Sequence, residues 1–232
     1  MLGKARNVIS LLLIAVLAIV PLLVITILCV GCNRANNEPK PENIAAIPRY
    51  EELSALIGLS PDEAELKLQG NLTETEPEYD DIYQTPITVE LCDVTLYIQL
   101  AENSMVKKID SILYCADYTN NNEKAAEDIL KIARYLGDTI GENTQQEQWD
   151  LFEMTQEQVL EVFDGREQRV IEWDITPVAT QSQLDYMELS SNVWETVKEG
   201  SRLDLIYGLE LKVSNIEDTV HLQITIGPMR KR

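Results

Sequence analysis

All 23 residues from Val8 to Val30 are uncharged, in the run VISLLLIAVLAIVPLLVITILCV. A run of this length supplies the roughly 20 apolar residues that a helix needs to cross a bilayer. It therefore divides the chain before any other feature is considered. Lys4 and Arg6 precede it without an acid, Gly31 and Cys32 follow, and the polar stretch NRANNEPKPEN comes next. A basic start, an apolar run and a small residue before a cut are the parts of a secretory signal. Basic residues ahead of the run keep the N-terminus cytoplasmic and send the residues beyond it across the membrane. Two dispositions fit: cleavage before Cys32, or an uncleaved single-span anchor over 8–30. Both place the remaining chain on the extracytoplasmic side.

Gly31-Cys32 at the exit of the run, with Cys29 and Val30 before it, resembles the signal of bacterial lipoproteins. The resemblance implies removal of residues 1–31 by the lipoprotein signal peptidase, acylation of Cys32, and attachment to the bacterial cell membrane through that lipid. Residues 32–46, rich in Asn, Glu and Pro, then form a flexible tether to a domain over 47–232.

Charge narrows the partners. Nineteen Lys and Arg stand against 39 Asp and Glu, a formal charge of −20. A nucleic-acid binder needs the opposite balance to displace counterions from phosphate. The same charge keeps the domain soluble and repels anionic headgroups, so membrane contact is expected only through the N-terminal lipid or anchor helix. With 45% hydrophobic residues the chain can bury a core, which excludes disorder throughout.

Hydrophobic period then predicts the elements. Leu53, Leu56 and Ile57 are at short helical spacing. Ser60-Pro61-Asp62-Glu63 opens a helix with a capping box and Pro at its first position, ending near Gly70. From Ile87 the period becomes two: Ile87, Val89 and Leu91, then Val94, Leu96, Ile98 and Leu100 in the opposite phase. The slip marks a bulge or tight turn at Cys92-Asp93. A turn at 101–104 and a strand over 105–116 come next, with Leu100 expected opposite Met105. Asn120 with Glu123 offers a capping box for a helix whose stripe is Ala126, Ile129, Leu130, Ala133 and Leu136, with Gly137 as its stop. A helix over 155–162, a strand over 170–175 and a helix over 183–199 precede a hairpin made by Leu209, Leu211, Val213 and Val220, Leu222, Ile224, Ile226. Hairpins separated by helices predict an α+β fold, an antiparallel sheet with helices on one face. One domain suits the length, and two halves meeting near residue 145 are the alternative.

This order is similar to that of small α+β modules in exported bacterial lipoproteins, among them the β-lactamase-inhibitor-protein-like group. Gly58 to Ala64, Val94 to Tyr114, and Leu136-Gly137 with Ile140-Gly141-Glu142 carry the likeness. It implies an inhibitor or protective module that blocks a secreted enzyme with a concave sheet face, for which Tyr97, Tyr114 and Trp173 are the candidate aromatic contacts.

Reactive constellations are sparse. Asp117-x-Thr119-x-Asn121-Asn122 with Asp128 can be laid on a calcium loop, yet it lacks the Gly of the sharp turn and the final Glu. The acidic loop at Glu74, Glu76, Glu78, Asp80 and Asp81 reads as hydrated, with Ca²⁺ binding the alternative. His221, the one histidine, shares a face with Gln223 and Thr225 away from the apolar partners and reads as a solvated sheet residue rather than a general base. Cys92 and Cys115 lie near one end of the expected hairpin, so a structural disulfide and two buried free thiols are both open. No G-x-S-x-G, H-E-x-x-H or glycine-rich phosphate loop is present. The expectation is a non-enzymatic binding module of the envelope, without catalytic residues, metal or cofactor, and with an envelope or secreted protein as partner. A hydrolase built on two carboxylates is the remaining alternative.

Overall fold

The computed structural model describes residues 43–70, 72–75, 81–141, 154–164, 168–197, 203–216 and 218–231, with the backbone alone described over 161–164. The signal segment, Cys32 and most of the tether lie outside the described residues. Among the described residues no helix is long and apolar enough to cross a membrane.

Among the described residues seven strands form one antiparallel sheet in the order β1-β2-β3-β4-β7-β6-β5. They are β1 (Thr73–Glu74), β2 (Ile82–Leu91), β3 (Val94–Asn103), β4 (Lys108–Thr119), β5 (Arg169–Asp174), β6 (Leu205–Ile216) and β7 (Thr219–Arg230). Helices α1 (Tyr50–Ser54), α2 (Pro61–Leu68), α3 (Asn122–Ile140), α4 (Gln156–Asp164) and α5 (Gln181–Val197) complete the mixed fold. After β4 the chain crosses by α3 and α4 to the far edge at β5. It returns through α5 to β6, and β7 then closes the sheet against β4.

The phase slip is a tight turn. Leu91 pairs with Val94, and Cys92 and Asp93 both have left-handed backbone, φ 53° and 63°. Two positive φ values are what a two-residue hairpin loop of type I′ requires. Earlier in β2, Pro86 has no N–H to donate, and the register shifts between Gln84 and Thr88. Thr85 spans the break: its hydroxyl donates to the Ile98 carbonyl at 3.1 Å and accepts from the Ile87 N–H at 3.1 Å. The strand therefore starts at Ile82, five residues before its apolar alternation becomes visible.

Three expectations are corrected. The β3–β4 turn lies at 104–107, where the Asn103 side chain accepts from the Met105 and Val106 N–H groups, so Leu100 faces Ile112 rather than Met105. The helix after β4 starts at Asn122 without a side-chain cap. Asn120 instead takes a left-handed turn conformation, φ 55°, and its N–H donates to Asp218 in the β6–β7 turn. Gly137 does not stop that helix. Buried Ile140 extends the apolar stripe one turn, and Gly141, φ 99°, ends it. The box on α2 forms as read: Ser60 Oγ accepts from the Glu63 N–H and the Glu63 carboxylate accepts from the Ser60 N–H.

The core is between one sheet face and the helices. Ile98, Tyr114, Ile224, Leu211 and Ile171 form one cross-sheet row; Leu100, Ile112, Ile226, Leu209 and Trp173 form the next. All are buried. Ala125, Ala126 and Ala133 let α3 approach these rows closely. Two polar clamps orient the helices. Asp128 of α3 accepts from Tyr118 Oη of β4 at 2.9 Å and pairs with Lys124 at 2.6 Å. Tyr186 Oη of α5 donates to Asp110 of β4 at 2.9 Å. The folded part begins before 47: Ile44 and Ile47 are in the core, and Tyr135 Oη donates to the Ala46 carbonyl.

Candidate functional site

The outer face of the sheet carries the residues of opposite parity. Thr88, Tyr97, Cys115, Gln223 and Lys212 are cross-strand neighbours in one row. Asp117, His221 and Ser214 make the row beside it, and Gln99, Leu113, Thr225 and Glu210 the row on the other side. The curved surface encloses a cavity of about 280 Å³ lined by Tyr97, Gln99, Cys115, Asp117, Lys212, His221 and Gln223. Ile82 and Ile216 stand at its apolar margin.

Asp117 organises the polar groups. Its Oδ2 accepts from Tyr97 Oη at 2.5 Å, and its Oδ1 lies 2.6 Å from His221 Nδ1. An ionised carboxylate only accepts, so Nδ1 carries the proton on this ring and Nε2 remains for another partner. Burial, then the bond to Asp117, pushes the Tyr97 hydroxyl above its ordinary range, which keeps it a donor at neutral pH. Cys115 Sγ donates to Gln99 Oε1 at 3.6 Å, and Gln223 Nε2 donates to Thr225 Oγ1 at 2.8 Å. Burial, then the charge of Asp117, pushes the Cys115 thiol up to about 12. It is therefore protonated and a poor nucleophile at neutral pH.

Of the three aromatic candidates, only Tyr97 is on this face. Tyr114 and Trp173 belong to the core rows, with Tyr114 Oη donating to the Pro48 carbonyl and Trp173 Nε1 to the Gly141 carbonyl. The cause is parity. From Tyr97 to Ala101, before the register shift at Ala101/Glu102, opposing residues of β3 and β4 sum to an even number, as Tyr97 and Cys115 do, whereas the expected pairing was odd. A change of one in register moves every side chain of a strand to the other face.

The same register separates the cysteines. Cys92 is in the β2–β3 turn next to Val94, while Cys115 stands opposite Tyr97, three residues or about 10 Å along the strand. That exceeds the reach of a disulfide, and both are free thiols. Asp117 and Thr119 are in β4 rather than in a loop, and Asp128 is held by Tyr118 and Lys124, so no calcium loop forms there. Among the described residues no three His, Cys, Asp or Glu converge to hold a metal ion. Residues 76–80 of the acidic loop lie outside the described residues.

The alternation along β7 places His221 with Gln223 and Thr225, but gives no sign of Asp117, Gln99 and Lys212 as their neighbours. The period-two pattern carries each strand's facing. The pairing of β4 with β7, a hundred residues apart, does not show in it. Comparison with protein families, curated proteins and solved structures finds no match for this chain.

Proposed function

We propose that the chain is a non-enzymatic binding module of the bacterial envelope, tethered by a lipid on Cys32, whose ligand docks on the outer face of the sheet. The carrying observation is the cavity around Asp117, where side chains from β3, β4, β6 and β7 converge and are already oriented by hydrogen bonds. Pre-set polar groups in an apolar-margined hollow are the usual makeup of a small-molecule site. Non-catalytic binding is favoured by the protonated Cys115 thiol and by Asp117 being the one carboxylate among the described residues that line the cavity, since two-carboxylate hydrolysis needs a pair. An inhibitor module has less support, because Tyr114 and Trp173 are spent in the core.

The test has two arms. Intact mass and membrane partitioning of the chain beside Cys32→Ala should show loss of residues 1–31 with a diacylglycerol-sized gain in the parent alone. An unprocessed chain in both would replace the lipid with a spanning anchor. A photoreactive side chain replacing Thr95, exposed on the outer face, should give a discrete adduct in intact cells, and one replacing Leu66, exposed on α2, should not. Equal labelling at both positions would remove the outer face as the binding surface.

A further inference from the structure

We propose, building on the outer face as the binding site, that its ligand is a neutral saccharide. Three observations carry this. The first is charge. The chain bears −20, yet the described residues lining the cavity set one carboxylate, Asp117, against one ammonium, Lys212. Asp117 is already bonded on both oxygens by Tyr97 and His221. With a neutral His221 ring, these described groups carry no surplus charge with which to recruit an ion.

The second is the pattern of unspent hydrogen-bonding capacity. Gln99 uses its oxygen on Cys115, leaving Nε2 to donate; Gln223 uses its nitrogen on Thr225, leaving Oε1 to accept. Nε2 of the neutral His221 ring and the second lone pair on each Asp117 oxygen are further acceptors. The hollow therefore offers both donors and acceptors. A hydroxyl both donates and accepts, so adjacent ring hydroxyls match this pattern, and a carboxylate held in one plane by two donors presents a fixed pair of acceptors to two of them.

The third is the apolar margin. The Tyr97 ring and Ile82 give a surface for the C–H face of a sugar ring. The volume, about 280 Å³, is just below the roughly 300–1,000 Å³ range of small-molecule sites and suits one or two rings at a time.

The single histidine makes the test direct, because histidine-labelled chain gives one imidazole signal and it reports from the cavity. The detergent-solubilised full chain is titrated with maltotriose, with tri-N-acetylchitotriose and with the zwitterion glycylglycine. A saturable shift of the imidazole signal with a trisaccharide, weakened about tenfold or more in Gln99→Ala/Gln223→Ala, is expected. That variant keeps Tyr97, Asp117 and His221, and an unchanged signal in the free protein shows that the site is intact. A saturable shift with glycylglycine and neither sugar would overturn the saccharide while leaving the site in place. No saturable shift with any of the three, up to solubility, would overturn the saccharide and remove the support for binding at this cavity.

Discussion

On β3, β4 and β7 the two faces of one sheet differ in what their side chains do. The even-numbered row Ile98, Tyr114 and Ile224 is buried beneath the helices, while at odd-numbered positions of the same strands Tyr97 and His221 both bond to Asp117 at the surface. The backbone ladder is common to both. Stability is therefore expected to reside on one face and recognition on the other, with the register between strands deciding which residue joins which.

The strongest way to break that division is truncation on each side. Ile224→Ala should lower unfolding free energy by about 2–5 kcal/mol in urea titration, whereas neighbouring Gln223→Ala should stay within about 0.5 kcal/mol. Equal losses would mean the outer face also carries the fold. Gly227 sharpens the comparison, because it is on the outer side yet has no room. A Cβ there would sit 2.6 Å from the Asp110 carbonyl oxygen and 2.8 Å from Ser111 Cβ. Gly227→Ala should force β7 and β4 apart locally and cost about 1–3 kcal/mol, seen as a lower melting temperature. The outer face is thus expected to tolerate change around Asp117 and to resist it at Gly227.

A subtler contrast lies between two aspartates of β4. Asp117 is exposed, while Asp110 on the helix side is half-buried, and its desolvation raises its pKa against the lowering bonds from Tyr186 and Asn103. The folded state therefore holds this proton more tightly than the unfolded state. As pH rises from the ordinary aspartate range through the raised value, the unfolded chain binds fewer protons and stability falls; on acidification through the same window it returns. Asp110→Asn should flatten that slope in urea midpoints measured across the window. A slope of unchanged steepness would assign it to other groups.

The smallest effect should come from the β2–β3 turn. Cys92 holds a left-handed backbone, which costs a non-glycine residue about 1–2 kcal/mol, less where Asn or Gly takes the position. Cys92→Asn with Asp93→Gly should raise stability by about 0.5–1 kcal/mol and leave the outer face unchanged.

Local signals were legible because local chemistry decides them. The Ser60–Glu63 box, the period-two runs of β3 and β7 and the stripe of α3 all formed where the residues place them. Non-local pairing was not legible. Pro86 hid the first half of β2, since its register break is bridged by a threonine hydroxyl rather than by a pattern of hydrophobic residues. Asn120 read as a cap, yet its partner is Asp218 at the other end of the chain. Tyr97 and Tyr114 looked like companions until an even register put them on opposite faces. The Asp117–His221 contact depends on β4 pairing with β7, which follows from the closure of the whole sheet.

That contact is also the point on which the outer-face site depends most. Nitrogen NMR of the single imidazole, at a pH where the ring is neutral, reads directly which nitrogen carries the proton. A proton on Nδ1, hydrogen-bonded to Asp117, is expected, with a return to the usual Nε2–H form in Asp117→Ala. An Nε2–H ring in both proteins would mean that Asp117 and His221 do not meet, and the outer-face site would lose its centre.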